Sequence, residues 1–203
     1  VFAAILAGGR GRRFGGVEKG LLKVGKKRII EYILESLKDF ENVIVCRDEN
    51  QSKLYSDYTK TITDTLKGIG PLGGIHAALS HFNRNVLVVS SDMPFLNREI
   101  CQLLYEECKN ASAVLPAWKD GRLEPTLAVY STKVKPGIER CYRLREKRVI
   151  KAIEDLDGVK YYPVEKLRKY DKELLTFMNV NTPEDLERAE KIIAERRIKK
   201  EKF

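Results

Sequence analysis

Asp92 follows an unbroken apolar run, Val86-Leu87-Val88-Val89, and precedes Met93-Pro94. A run of that kind reads as a central strand covered on both faces, so the carboxylate should stand at the rim of a sheet, where open α/β sheets bind ligands. Oxygen donors there suit Mg²⁺, which is commonly held by one or two carboxylates together with substrate phosphates. The complementary charge lies in Gly8-Gly9-Arg10-Gly11-Arg12-Arg13-Phe14-Gly15-Gly16 and the residues after it. Positions 10–28 carry eight cations (Arg10, Arg12, Arg13, Lys19, Lys23, Lys26, Lys27, Arg28) against one anion, Glu18. Glycines let backbone N–H groups approach phosphate oxygens, and Arg13 and Lys19 can neutralise the charge, so the loop reads as a polyphosphate cradle.

Two familiar glycine patterns fail on inspection. Gly9-x-Gly11 is followed by Phe14 where a dinucleotide fingerprint needs a third small residue, and Gly20-x4-Gly25-Lys26 has Lys27 where a P-loop needs a hydroxyl for magnesium. Asp64, at the end of the third strand, can hold a ribose or a hydrated metal, or cap the turn that follows; both readings stand. Gly70-Pro71-Leu72-Gly73-Gly74 lies between that strand and a helix, and small residues at a helix start let a planar ring lie against the backbone. A base slot is therefore expected between Leu6-Ala7-Gly8 and Gly70-Pro71-Leu72-Gly73. Phosphate loop, rim carboxylate and slot together describe a nucleoside triphosphate site with magnesium.

The elements that must position these residues follow from periodicity. Short apolar runs alternate with amphipathic segments, the order of an α/β domain built from β-α-β units. Strands are expected at residues 2–7, 43–46, 61–64, 86–90, 113–116, 127–130, 159–163 and 177–180. Helices are expected at about 28–38, 72–81, 98–109, 134–143 and 149–156, with a last one opened by Thr182-Pro183. The 203 residues suffice for one domain, taken as 1–195 with a basic tail at 196–203. With 43% hydrophobic and 33% charged residues and no apolar run of about 20, neither a disordered nor a membrane-spanning chain is expected. No export signal leads the first strand, so a cytoplasmic location is expected. The net charge of +9 invites a nucleic-acid reading, but the cations gather at the glycine loop and the tail and no recognition-module signature accompanies them. Cys46, Cys101, Cys108 and Cys141 lack metal or redox spacing and are expected to be buried thiols.

Leu6-Ala7-Gly8-Gly9, Arg13-Phe14-Gly15-Gly16 and Lys19 resemble the signature loop of nucleotidyltransferases with the nucleotide-diphospho-sugar transferase fold, a Rossmann-like three-layer sandwich with a mostly parallel sheet. Gly70-Pro71-Leu72-Gly73-Gly74, Asp92-Met93-Pro94, Glu124-Pro125 and Asn179-Val180-Asn181-Thr182-Pro183-Glu184 narrow the resemblance to the molybdenum cofactor guanylyltransferase family. That resemblance implies that a terminal phosphate of molybdenum-loaded molybdopterin attacks the α-phosphorus of GTP and expels pyrophosphate. It implies nucleotide contacts from Leu6, Ala7, Gly8, Gly9, Asp64, Gly70, Pro71 and Leu72. Arg13 and Lys19 would meet the triphosphate, with Lys19 stabilising charge at the α-phosphate, and Asp92 would hold Mg²⁺. Asn179, Asn181 and Arg148 would meet the acceptor, although the two asparagines can instead cap the last helix. Cys46 stands where the family often carries an Asn that contacts the nucleotide. Proteins that deliver molybdopterin and receive the product are the implied partners, with no nucleic acid or membrane. A cytidylyltransferase acting on the same pterin, another transferase of this fold and a regulatory nucleotide-binding protein are the rival readings.

Overall fold

The structure, a computed structural model, describes residues 1–8 and 14–201. In chain order its elements are β1 Phe2–Leu6, a hairpin of β2 Lys23–Val24 and β3 Lys27–Arg28, α1 Ile29–Ser36, β4 Glu41–Cys46, α2 Glu49–Tyr55, β5 Thr61–Thr63 and α3 Pro71–Phe82. There follow β6 Val86–Ser90, α4 Arg98–Glu107, β7 Ala113–Ala117, β8 Leu127–Tyr130, α5 Lys135–Leu144, α6 Val149–Ile153, β9 Val159–Pro163 and α7 Pro183–Glu201. Seven strands form one sheet in the order β5-β4-β1-β6-β8-β7-β9. Pairing is parallel except for β8, which runs antiparallel to both of its neighbours. The chain leaves β1 toward β4 and β5 on one side and returns to β6 on the other, so a crevice opens at the carboxyl end of β1.

Alternate residues of each central strand face opposite helix layers, as the pleat requires. Ala3, Ile5, Leu87 and Val89 pack with α1 and α4, whereas Ala4, Val86 and Val88 pack with α3, α5 and α6. Ile5 and Val89 have no exposed surface, and truncating a residue like Ile5 to alanine costs roughly 2–5 kcal/mol. Helix starts follow local chemistry. Asn97 accepts from the Ile100 N–H at 3.0 Å ahead of α4. Gly70, at φ 62°, precedes Pro71 at the head of α3, a backbone conformation that favours glycine.

Seven of the expected strands and the expected helices are present with shifted ends, and the three-layer α/β class holds. The strand expected at 177–180 is a correction. Leu175–Phe177 is a 3₁₀ turn, and Val180 gives its N–H to the carbonyl of Asp92 at 2.9 Å instead of joining a ladder. Two elements escaped the sequence reading, the β2–β3 hairpin and α2. The α2 sequence Glu-Asn-Gln-Ser-Lys-Leu-Tyr has little apolar periodicity, and its anchor is a fully buried glutamine, Gln51. Residues 196–201 continue α7. Among the described residues no helix is long and apolar enough to cross a membrane.

Candidate active site

A cleft of about 540 Å³ opens at the carboxyl ends of β5, β4, β1 and β6. Leu6, Ala7 and Gly8 form its floor. One end is walled by Cys46, Arg47, Asp48, Asp64, Lys67, Gly68, Gly70 and Pro71, the other by Lys19, Ser90, Ser91, Asp92 and Thr126. The volume suits a small-molecule site.

At the second end three side chains from distant parts of the chain meet. Lys19 Nζ donates to Asp92 Oδ2 at 3.0 Å and to Asn181 Oδ1. Ser90 Oγ donates to Asp92 Oδ1 at 2.7 Å, so both carboxylate oxygens are oriented before any ligand arrives. Asp92 is held at the rim by β6, and the Val180–Asp92 main-chain bond brings Asn181 alongside. The last helix does not need the asparagine side chains for its start. Thr182 Oγ1 accepts from the Asp185 N–H, and Asp185 Oδ2 accepts from the N–H groups of Asn181 and Thr182, a reciprocal cap that leaves the Asn181 side chain to Lys19. Those bonds to main-chain N–H groups hold the Asp185 carboxyl below its ordinary range.

Lys19 sits on a 3₁₀ turn, Lys19–Leu21, that has no room to drift. A Cβ on Gly20 would come within 2.8 Å of the Tyr55 hydroxyl and 3.2 Å of the Ser91 carbonyl. The residue before the lysine is fixed by a buried polar network that sequence reading missed. Glu18, 5% exposed, accepts from Arg47 Nη2 at 2.7 Å and from Gln51 Nε2 at 2.6 Å. Gln51 also donates to the Ala7 carbonyl at 2.6 Å and accepts from the Arg47 N–H at 2.8 Å. One carboxamide thus ties together the loop after β1, the turn bearing Lys19 and the loop after β4. The signal that could have found it was Asp48-x-x-Gln51, a helix-start pattern, since Asp48 Oδ1 accepts from the Gln51 N–H at 2.9 Å.

At the first end Asp64 performs the turn-capping task, accepting from the Leu66 N–H at 3.0 Å, and it also lines the cleft. Burial pushes its carboxyl up from the ordinary range. Gly73 packs against this carboxylate: a Cβ there would drive into both Asp64 oxygens and come within 2.5 Å of the Leu66 carbonyl. The Leu72 side chain is fully buried in the core beneath α3, whereas Leu6, Ala7, Gly8, Gly70 and Pro71 line the cleft. The main-chain groups of Leu6 and Ala7 are already engaged. The Leu6 carbonyl accepts from Ser91, the Ala7 N–H donates to Val45 and the Ala7 carbonyl accepts from Gln51. Cys46 lines the cleft with 1% exposure, and burial pushes its thiol up to about 12, so it stays neutral and un-nucleophilic. All four cysteines are free and buried.

Two expected residues stand apart from this cluster. Asn179 Nδ2 donates to the nearby Phe177 carbonyl at 3.2 Å, and Arg148, on the surface, pairs with Glu146 at 2.6 Å; neither lines the cleft. Gly9 and Arg13 lie outside the described residues. Lys26 is exposed, and Lys27 pairs with Glu35, away from the cleft.

Residues 3–159 match the family model described as MobA-like NTP transferase domain. A probable molybdenum cofactor guanylyltransferase of Methanosarcina mazei is 40% identical over 196 residues, covering 91% of this chain and 88% of the relative. One of Thermococcus kodakarensis is 38% identical over 194 residues, covering 93% of each chain. The crystal structure of molybdopterin-guanine dinucleotide biosynthesis protein A from Archaeoglobus fulgidus superposes with a TM-score of 0.87 at 43% identity, over 96% of this chain and all of that one. A 2-C-methyl-D-erythritol 4-phosphate cytidylyltransferase from Thermus thermophilus shares the fold, with a TM-score of 0.68 at 15% identity over 95% of this chain and 98% of that one.

Proposed function

The chain belongs to the family of MobA-like NTP transferase domains, and from that premise we propose that it transfers GMP from GTP to molybdenum-loaded molybdopterin, releasing pyrophosphate. The observation that carries the reading is the convergence of Lys19, Asp92 and Asn181 at one end of a cleft whose other end can take a nucleoside. In the transfer, a terminal phosphate oxygen of the acceptor bonds to the α-phosphorus of GTP and the bond to the β-phosphate oxygen breaks. The nucleophile is already an oxyanion, so the protein's work is in-line positioning and neutralisation of charge.

Lys19 supplies the neutralisation. Its ammonium is aimed by Asp92 and Asn181, and the Glu18–Gln51–Arg47 network holds the turn beneath it. Arg13 adds charge at the triphosphate. Gly8, Gly9, Asp64, Gly70 and Pro71 would hold the nucleoside, with Leu6 and Ala7 beneath it. Asn181 and Asn179 would lie on the acceptor side; Arg148 would need to leave Glu146 to join them. The donor type fits magnesium: Asp92 places hard carboxylate oxygens in the wall of the cleft, where substrate phosphates would complete the set. Mg²⁺ held there would withdraw charge from the triphosphate. The four unpaired thiols support a cytoplasmic location. Carrier and molybdoenzyme proteins are the partners this activity would require.

The test is to incubate the protein with GTP, Mg²⁺ and molybdenum-loaded molybdopterin and to assay pyrophosphate and the dinucleotide product together. Both should appear in equal amounts. Stable GTP binding with no pyrophosphate would favour a regulatory nucleotide-binding protein.

A further inference from the structure

Glu124-Pro125 is a motif for which the nucleotide and metal readings leave no task. The loop that carries it joins β7 to β8, and β8 lies next to β6 in the sheet, on the side of Asp92 away from β1, β4 and β5. Thr126, two residues on, lines the cleft. The edge-to-face contact of Trp118 with Phe177, ring centroids 5.4 Å apart, joins this loop to the segment that presents Asn179 and Asn181. A nucleoside occupying the β5–β4–β1 end therefore leaves this loop to whatever receives the nucleotide.

The Glu124 carboxylate is part-buried and engages one protein donor, which leaves its second oxygen open to a ligand. Trp118 Nε1 donates to its Oε1 at 2.7 Å and is its one hydrogen-bond donor among the described residues, whereas a carboxylate offers about four acceptor positions. The nearby guanidinium of Arg122 lies over the Trp118 ring and pairs with Asp120 at 2.7 Å instead. Burial raises the Glu124 carboxyl above its ordinary range, the expected cost of an incompletely solvated anion. Such a group is completed by a ligand presenting two adjacent N–H donors.

We propose that Glu124 is a specificity-determining residue for the acceptor, its carboxylate taking the ring N–H and exocyclic amine of an aminopyrimidinone heterocycle such as a pterin, beside the Trp118 indole. The assignment rests on the acceptor reading given under Proposed function. It makes Glu124 a recognition residue with no part in bond making at phosphorus.

Trp118 is the chain's single tryptophan, so its fluorescence reports on this loop directly. Wild type and Glu124→Gln are titrated with pterin and with lumazine, which carries oxygen in place of the amine. Steady-state turnover is then measured with molybdenum-loaded molybdopterin and with GTP varied in turn. The glutamine oxygen can still accept from the indole, so the loop is retained. Wild type should bind pterin more tightly than lumazine, and Glu124→Gln should lose that preference. Its KM for the acceptor should rise about ten- to hundredfold, the loss expected of a charge-assisted pair, with KM for GTP unchanged. An unaltered acceptor KM with an unaltered pterin preference, or equal losses toward both substrates, would overturn the assignment and make Glu124 a brace for the loop. Wild type that transfers nucleotide to another acceptor and ignores molybdopterin would overturn the acceptor reading itself; wild type that turns over molybdopterin while the variant matches it would overturn the Glu124 assignment alone.

Discussion

Lys19 Nζ lies 3.0 Å from Asp92 Oδ2 across 73 positions of sequence, and the Asn181 carboxamide oxygen accepts from the same ammonium. A cation held in this way is oriented toward the cleft before substrate arrives, and its replacement should be felt at the reacting phosphate. Lys19→Ala should lower kcat by roughly 10²- to 10³-fold, the scale for losing one preorganised electrostatic group. Lys26→Ala, in the same basic stretch but exposed and outside the cleft, should stay within about twofold, because solvent screens such charges. Equal losses in the two variants would mean diffuse attraction of the triphosphate rather than a positioned cation.

Asp92→Asn keeps the volume of the side chain and its contact with Ser90 but removes the charge that faces Lys19. Turnover should fall by at least about 10²-fold, with a higher magnesium concentration needed for half-maximal rate and an unchanged unfolding transition. A magnesium dependence identical to wild type would exclude Asp92 as a ligand.

Gln51→Met is nearly isosteric and deletes the bonds to Ala7, Glu18 and Arg47. Leaving these buried groups short of partners should lower unfolding stability by roughly 2–5 kcal/mol, read from denaturant curves. The folded protein should also lose kcat, since Glu18 precedes Lys19. A change under about 1 kcal/mol with full activity would show the network to be dispensable.

Asp185 has its carboxyl pKa lowered in the fold by bonds from the N–H groups of Asn181 and Thr182. A depressed carboxyl contributes stability above its unfolded pKa of about 3.9, and that contribution is lost as pH falls through the folded value. Wild type should therefore exceed Asp185→Asn in stability at pH 7, and the gap should close in acid below about pH 4. A gap independent of pH would mean that the carboxylate charge plays no part in starting α7.

Much of the sheet was legible because its strands are apolar runs with distinct ends; Val86-Leu87-Val88-Val89 alone located Asp92 at the rim. Lys19 and Asn181 were also named from sequence, each within a motif, although no pattern in the chain says that they touch. What escaped depended on tertiary polarity. Gln51 and Glu18 look like surface residues by type and are buried because they satisfy one another. Val180 looks like part of a strand by type, yet its N–H goes to the loop after β6. The close approach of the Asp64 carboxylate to Gly73 was not legible either, because only the packed α3 brings the two together.

Base choice is the most direct measure of the central claim. Equimolar GTP and CTP offered together, with Mg²⁺ and molybdenum-loaded molybdopterin, give products that differ in mass and can be quantified from one reaction. The guanine dinucleotide should dominate by on the order of 10²-fold or more, the discrimination expected when a wrong base leaves buried polar groups unpaired. Cytosine dinucleotide in equal or greater amount would contradict the guanylyltransferase assignment.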